Sequence, residues 1–238
     1  MLSVICPIYN EAKYIDVCVQ SILLQDYPKQ QLEVLFVDGM SKDGTRDIVN
    51  NYSKQYPFIR LLNNEKRIVP VAMNIGIKAS IGDIVMRLDA HAQYPPNYFS
   101  VLVKELVRLR ADNVGVACKT DVLNKTSKTL AIREVLSNRF GVGNSTFRLG
   151  VDKVIEVDTV PFGCWKKDVF NKYGFYDERL IRNQDIELNK RIVRGGGHIF
   201  IVPDTYCTYL ARETFDGLAK NNFGNGKWNI LTVYYTKQ

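Results

Sequence analysis

The sequence predicts an α/β fold, a three-layer α/β/α sandwich around a mainly parallel central sheet. Two observations predict it. Short apolar runs recur at Leu2 to Ile8, Leu32 to Val37, Ile59 to Leu62 and Ile84 to Leu88, each ended by polar or turn residues. The intervals between them carry apolar residues at helical spacing. Parallel strands need crossovers of a dozen residues or more, usually helices, and these intervals supply them.

Leu2 to Ile8 is a strand that starts at once. No basic stretch leads into an apolar one there, so no secretory signal is expected. Ile15, Cys18, Val19, Ile22 and Leu23 then share one helical face. Leu32 to Val37 is a second buried strand, stopped by Asp38-Gly39. A helix over Thr45 to Tyr56 and a strand over Ile59 to Leu62 follow. Pro70 opens the next helix, because a proline at the first helical position forfeits no hydrogen bond. Ile84 to Leu88 is a strand ending in Asp89. Pro95-Pro96 starts a helix that turns Phe99, Leu102, Val103, Leu106 and Leu109 inward, and Val114 to Val122 is strand-like.

Beyond that point the alternation breaks. A helix is expected near Thr129 to Phe140, then a glycine-rich turn, a strand near Lys153 to Val160, helices near Lys166 to Tyr173 and Gln184 to Arg194, and a strand at Ile199 to Val202. There is no repeat, low-complexity stretch or linker. One domain over residues 1–238 is predicted, in two halves, 1–112 and 113–238.

The composition, 46% hydrophobic and 24% charged, is that of a globular chain able to bury a core without staples. No run reaches the roughly 20 apolar residues of a membrane span. The five cysteines have no CxxC and no zinc-ligand spacing, which reads as reduced thiols in a cytoplasmic protein. In such a chain the triplets at Asn51, Asn124 and Asn144 carry no glycosylation meaning. A net charge of +7 suggests an acidic partner, whether nucleic acid, phosphorylated small molecules or an anionic membrane surface, and reads equally as a solvated surface that happens to be basic. Nucleic acid is not expected, because the basic residues form no cluster with aromatic ones.

Ligands of open α/β sheets bind at the carboxyl ends of the strands. Polar residues stand at three of those ends: Tyr9-Asn10-Glu11, Asp38-Gly39-Met40-Ser41 and Asp89-Ala90-His91. Each alone reads as turn and cap residues. Three at one edge point to a site.

The succession Cys6-Pro7-Ile8-Tyr9-Asn10-Glu11, Val37-Asp38-Gly39-Met40-Ser41-Lys42-Asp43-Gly44-Thr45, Asn74-Ile75-Gly76, Gly82-Asp83 and Leu88-Asp89-Ala90-His91 resembles the signatures of the family-2 glycosyltransferases. The likeness continues through Gly163 to Asp204 and is greatest to the bacterial exopolysaccharide type. It implies a GT-A fold with a Rossmann-like nucleotide-binding half and an acceptor-binding half. It also implies a nucleotide-sugar donor, most often a UDP-sugar, a glycan or lipid-linked acceptor, a divalent metal, and inversion at the anomeric carbon.

The residues suit those roles. Tyr9, Glu11 and Asp38 offer a planar face and acceptors to a base and ribose, with Pro7 stiffening the strand exit. The resemblance assigns Asp38 to the base, and Gly39 lets the backbone approach closely. Asn74 falls in a donor-side signature, but Met73 stands where many relatives carry arginine. Arg67 or Arg87 is read as the replacement cation for the phosphates. Asp89 and His91 match the DxD metal motif with histidine for the second carboxylate, which favours Mn²⁺ over Mg²⁺. The alternative for His91 is a turn residue that touches no metal.

Asp185 matches the second member of the family's acidic pair, the general base, while Gln184 departs from the first. The alternative for Asp185 is a carboxylate that favours the helix dipole. Glu187 is a weaker candidate. Gly163 and Trp165 belong to a segment that in the family lines the sugar and acceptor site, so Gly163, Trp165 and Gln184 are the acceptor-side residues. Trp165 reads either as a platform for a sugar ring or as a core residue. Gly141-Val142-Gly143-Asn144 reads as a flexible acceptor-side loop.

A nucleotidyltransferase would show a glycine-rich loop after the first strand, and there is none. A non-catalytic sugar-nucleotide-binding module is the other rival. Trp228 to Tyr235 turns apolar as the sequence stops, and relatives often continue into membrane helices. The expectation is therefore a cytoplasmic domain that can sit at the cytosolic face of a membrane.

Overall fold

A computed structural model describes residues 1–142 and 146–236. The first half alternates as the sequence predicts: β1 (Leu2–Ile8), α1 (Ile15–Leu23), β2 (Leu32–Asp38), α2 (Thr45–Gln55), β3 (Ile59–Asn63), α3 (Val69–Ala79) and β4 (Ile84–Arg87). Next come β5 (Ala92–Gln93), α4 (Tyr98–Arg108), β6 (Asn113–Asp121), α5 (Ser127–Ser137), α6 (Arg139–Val142) and α7 (Thr146–Leu149). The chain ends with β7 (Ile155–Glu156), β8 (Cys164–Lys166), α8 (Asp168–Tyr173), α9 (Gln184–Arg194), β9 (Ile199–Leu210) and α10 (Phe215–Thr236).

The described strands form one sheet in the order β3-β2-β1-β4-β8-β6-β9-β5, with β7 also on β9. The longer pairings, β1 with β2 and β4, β2 with β3, and β6 with β9, are parallel. The short ones are antiparallel. Strand residues alternate between the faces. Val4, Cys6, Val34 and Phe36 feed one apolar cluster, while Ile5, Leu35 and Val37 feed the other. That division gives the three layers.

The second half departs from expectation where pairing is tertiary. The strand expected over Lys153 to Val160 pairs only at Ile155–Glu156. Cys164–Lys166 is a strand, slotted between β4 and β6, so the predicted halves share one sheet. β9 runs on to Leu210, and its register against β6 shifts between Val116 and Ala117, which takes Pro203 out of the ladder. The helix near Thr129 stops at Ser137. The Gly141-to-Asn144 loop falls partly outside the described residues. No described helix is long and apolar enough to cross a membrane.

Candidate active site

Parallel register brings the exits of β1, β2 and β4 to one edge: Ile8 lies opposite Asp38, and Ile5 opposite Arg87. Side chains then sew the first two exit loops together. Ser41 Oγ accepts the Asn10 N–H at 2.8 Å, Thr45 Oγ1 accepts the Glu11 N–H at 2.8 Å, and Asn10 Oδ1 accepts the Lys42 N–H at 3.0 Å. Asn10 and Met40 hold left-handed backbone, with φ of 54° and 63°. Such conformations persist only where the surroundings over-determine them, and they collect at functional sites. A Cβ on Gly39 would lie 3.0 Å from the Tyr9 ring, so the missing side chain is what lets that ring cover the loop.

A cleft of ≈ 130 Å³ opens at this edge. Pro7, Tyr9, Glu11, Gly39, Arg67, Asp89 and His91, all predicted for the donor or metal, line it together with Arg87. Asp38 and Asn74 do not, and two expectations need correction. The Asp38 carboxylate is fully buried and already accepts the Ser41 N–H at 3.0 Å, the Ser41 hydroxyl at 2.5 Å and Arg46 Nη1 at 2.5 Å. A base reaches it only by displacing Arg46, so here Asp38 fixes the loop carrying Gly39. Asn74 is buried and spends its carboxamide on Tyr176 and Glu178. It positions the segment leading to α9.

At the end of β4, Arg87 donates to Asp89 at 3.1 Å, and His91 Nδ1 lies 3.3 Å from Glu11 Oε1. Burial pulls the Arg87 pKa down, but Asp89, Tyr176 and Asp185 outweigh it and hold the guanidinium well above its ordinary value. Its Nη1 is buried with no partner among the described residues. For His91 burial again acts downward, and the bond to Glu11 with the charge of Asp89 reverses it, so its pKa is raised. The Tyr94 hydroxyl accepts the Asp89 N–H at 2.8 Å and donates to the Asp89 carbonyl at 3.1 Å. That pin sets where the carboxylate points.

Among the described residues, no three His, Cys, Asp or Glu side chains are grouped to hold a metal. Asp89 and His91 offer one carboxylate and one imidazole. Two such ligands fit an ion shared with a diphosphate's oxygens, not one held by protein alone.

Asp185 lies at the start of α9, after Asn183 in left-handed backbone at φ 59°. Among the described residues its carboxylate accepts one hydrogen bond, a local one from the Ile186 N–H at 2.9 Å. It lines a second, larger cavity of ≈ 690 Å³ together with Gln184, whose buried Oε1 has no partner among the described residues. Arg87 lines the smaller cleft and not the larger cavity, but Asp185 is also among the charges that raise its pKa. Glu187 is excluded as a rival, being buried and paired with Arg191 at 2.5 Å.

The other acceptor-side expectations are corrected. Trp165 is 2% exposed and packs on Phe170 and Tyr176 at ring separations of 5.7 and 6.5 Å, which leaves no face for a sugar. Gly163 lines neither cavity. Its carbonyl accepts the Arg87 N–H at 3.1 Å, and a Cβ there would stand 2.3 Å from the Trp165 ring.

Sequence reasoning missed Arg46, Tyr94 and the whole of α10, which lines the larger cavity through Asn225 and Asn229. The first two act on partners with no recognisable spacing. α10 had a signal, the run of asparagines and glycines from Asn221 to Asn229, which is odd for a helix.

The chain is 28% identical over 237 residues to a dolichyl N-acetyl-α-D-glucosaminyl phosphate 3-β-D-2,3-diacetamido-2,3-dideoxy-β-D-glucuronosyltransferase of Methanococcus voltae, covering 98% of this chain and 74% of that protein. It is 29% identical over 236 residues to the succinoglycan biosynthesis protein ExoA of Rhizobium meliloti, covering 94% and 67%. Among solved structures it resembles S. aureus TarS in complex with UDP-GlcNAc, with a TM-score of 0.69 at 19% identity, covering 90% of this chain and 59% of that one. It also resembles the mannosyltransferase PcManGT of Pyrobaculum calidifontis in complex with GDP-Man and Mn²⁺, with a TM-score of 0.68 at 22% identity, covering 90% and 58%. At these identities the solved structures establish the fold, which is GT-A. The family described as Glycosyl transferase family 2 matches residues 3–174. This chain, with its strand-end site and GT-A sheet, belongs to the family-2 glycosyltransferases.

Proposed function

We propose that this chain moves a sugar, with inversion, from a nucleotide-diphosphate donor to a glycan or lipid-linked acceptor in polysaccharide biosynthesis. The observation that carries the reading is the pair of cavities, one lined by Arg87 and Asp89 and the other by Asp185, whose charge acts on Arg87. The smaller holds the donor's nucleotide and diphosphate, and the larger holds the acceptor. UDP is the favoured nucleotide, since it is the commonest in such enzymes; the solved neighbours carry UDP-GlcNAc and GDP-Man.

Tyr9 over Gly39 presents a planar face to the base. Arg67 and Arg87 face the diphosphate, and the buried, fixed charge of Arg87 costs no reorganisation as negative charge develops. Asp89 and His91 would hold a divalent ion, Mn²⁺ in preference to Mg²⁺, which as a Lewis acid neutralises the departing diphosphate. Asp185 takes the proton from the acceptor hydroxyl. The new bond from that oxygen to the anomeric carbon forms as the carbon–phosphate-oxygen bond breaks on the opposite side, and a nucleoside diphosphate leaves. A site at the cytosolic face of a membrane fits this role when the acceptor is lipid-linked.

A thermal-shift screen of nucleotide sugars, each with and without Mn²⁺, tests the reading together with nucleoside diphosphate release. Stabilisation by at least one donor and release dependent on Asp185 are expected. No response to any donor would favour a module without catalysis.

A further inference from the structure

The wall of the larger cavity indicates what kind of acceptor it takes, given the reading of that cavity as the acceptor site. Among the described residues three charged side chains line it: Asp158, Asp185 and Arg182. Arg182 is already engaged, its Nη1 donating to Asn221 Oδ1 at 3.0 Å and to Asn225 Oδ1 at 2.7 Å. Asn183 Nδ2 likewise donates to Asn229 Oδ1 at 2.8 Å. These contacts fix the orientation of both α10 amides. Their oxygens are used, and their Nδ2 groups have no partner among the described residues.

Each amide therefore leaves two N–H donors at a cavity that also holds two carboxylates. Thr159 lines it too, and since its Oγ1 accepts Asn189 Nδ2 at 3.0 Å its own proton is free to donate. Sugar hydroxyls donate and accept together, so they match a wall of alternating donors and acceptors. A phosphate is acceptor-only and would meet two carboxylates against one committed guanidinium. A volume of ≈ 690 Å³ is that of a site enclosing a ligand as large as a short oligosaccharide.

We propose that this cavity takes an uncharged sugar unit of the acceptor, read by the Nδ2 groups of Asn225 and Asn229. The enzyme then extends an existing glycan and does not glycosylate a bare lipid phosphate. A separate sugar transfer onto the carrier must come first to supply its substrate.

The test uses the full chain, a panel of neutral glucose, galactose, mannose and N-acetylglucosamine tetrasaccharides, and farnesyl phosphate, with binding read by saturation-transfer NMR and titration calorimetry. At least one tetrasaccharide should bind, and farnesyl phosphate should neither bind nor compete. The double variant Asn225→Asp, Asn229→Asp keeps the acceptor oxygens for Arg182 and Asn183 but removes the donors. It should weaken glycan binding about tenfold or more, with an unchanged far-ultraviolet spectrum. Farnesyl phosphate binding that is lost in Arg182→Gln would overturn the proposal, as would a panel without a binder or a double variant that binds like the parent. Donor thermal shifts on the same samples separate the two readings. An absent donor response sinks the proposed function, and a normal one beside a failed glycan test sinks only this inference.

Discussion

Asn74 and Tyr176, 102 residues apart, pair as two peptide groups do: Asn74 Nδ2 donates to the Tyr176 carbonyl at 2.9 Å, and Asn74 Oδ1 accepts the Tyr176 N–H at 3.0 Å. The pair ties α3, in the first half, to the segment that leads into α9 and Asp185. Replacing it by Asn74→Ala strands two buried backbone groups. We expect a loss of about 3 kcal/mol in urea unfolding, accompanied by a fall in transfer rate, because the segment before Asp185 loosens.

Asp185→Asn should leave the fold intact, since among the described residues the carboxylate is hydrogen-bonded only locally, by the Ile186 N–H. The change at the helix start costs about 0.5 kcal/mol. Transfer should fall about 10²–10⁴-fold through loss of the base, with donor affinity held. Product release at the parent rate would remove Asp185 from that role.

His91 should titrate above its ordinary value, because its bond to Glu11 and the charge of Asp89 outweigh burial. A raised folded-state pKa means that the protonated form stabilises the fold. That contribution is complete below the unfolded pKa of about 6.5 and is lost as pH rises through the higher folded value. In Glu11→Gln, an imidazole titration followed by NMR should move downward. An unchanged midpoint would show that Glu11 does not hold the charge.

Gly163→Ala tests a close approach. Gly163 has φ 75°, and its new Cβ would stand 2.3 Å from Trp165 and 2.8 Å from Asn113 Oδ1, both buried. Left-handed strain and overpacking together should cost about 3 kcal/mol. Gly39→Ala has the 47% exposed Tyr9 ring in its way at 3.0 Å. It should melt close to the parent while binding donor more weakly, since the ring is pushed off the loop.

Chelation offers a further check. If Asp89 and His91 share an ion with the donor, EDTA should abolish transfer and Mn²⁺ should restore it better than Mg²⁺. Stability without donor should barely change on chelation, because two protein ligands alone hold the ion weakly. A large loss of stability on chelation would argue for a resident metal instead.

The first half of the chain was legible from sequence because its structure is local. Apolar runs such as Leu2–Ile8 and Leu32–Asp38 are buried on both faces and announce parallel strands, while Asp38-Gly39 and Asp89 mark strand ends. Once the strands are parallel, their exits must share an edge, which is why Tyr9, Glu11, Gly39, Asp89 and His91 line one cleft. The spacing of residues could not show which neighbour each polar atom finds. Asp38 went to Arg46, Asn74 to Tyr176, and Trp165 into the core, because a buried polar or aromatic group settles where its partners are, often a hundred residues away. The sequence by itself determined the α/β alternation and the chemistry at the strand ends. Only the tertiary structure decided that β8 slips between β4 and β6, that Asp89 and Asp185 both act on Arg87, and that α10 lines the second cavity. Each of those depends on hydrogen bonds and packing between segments that have no periodicity in common.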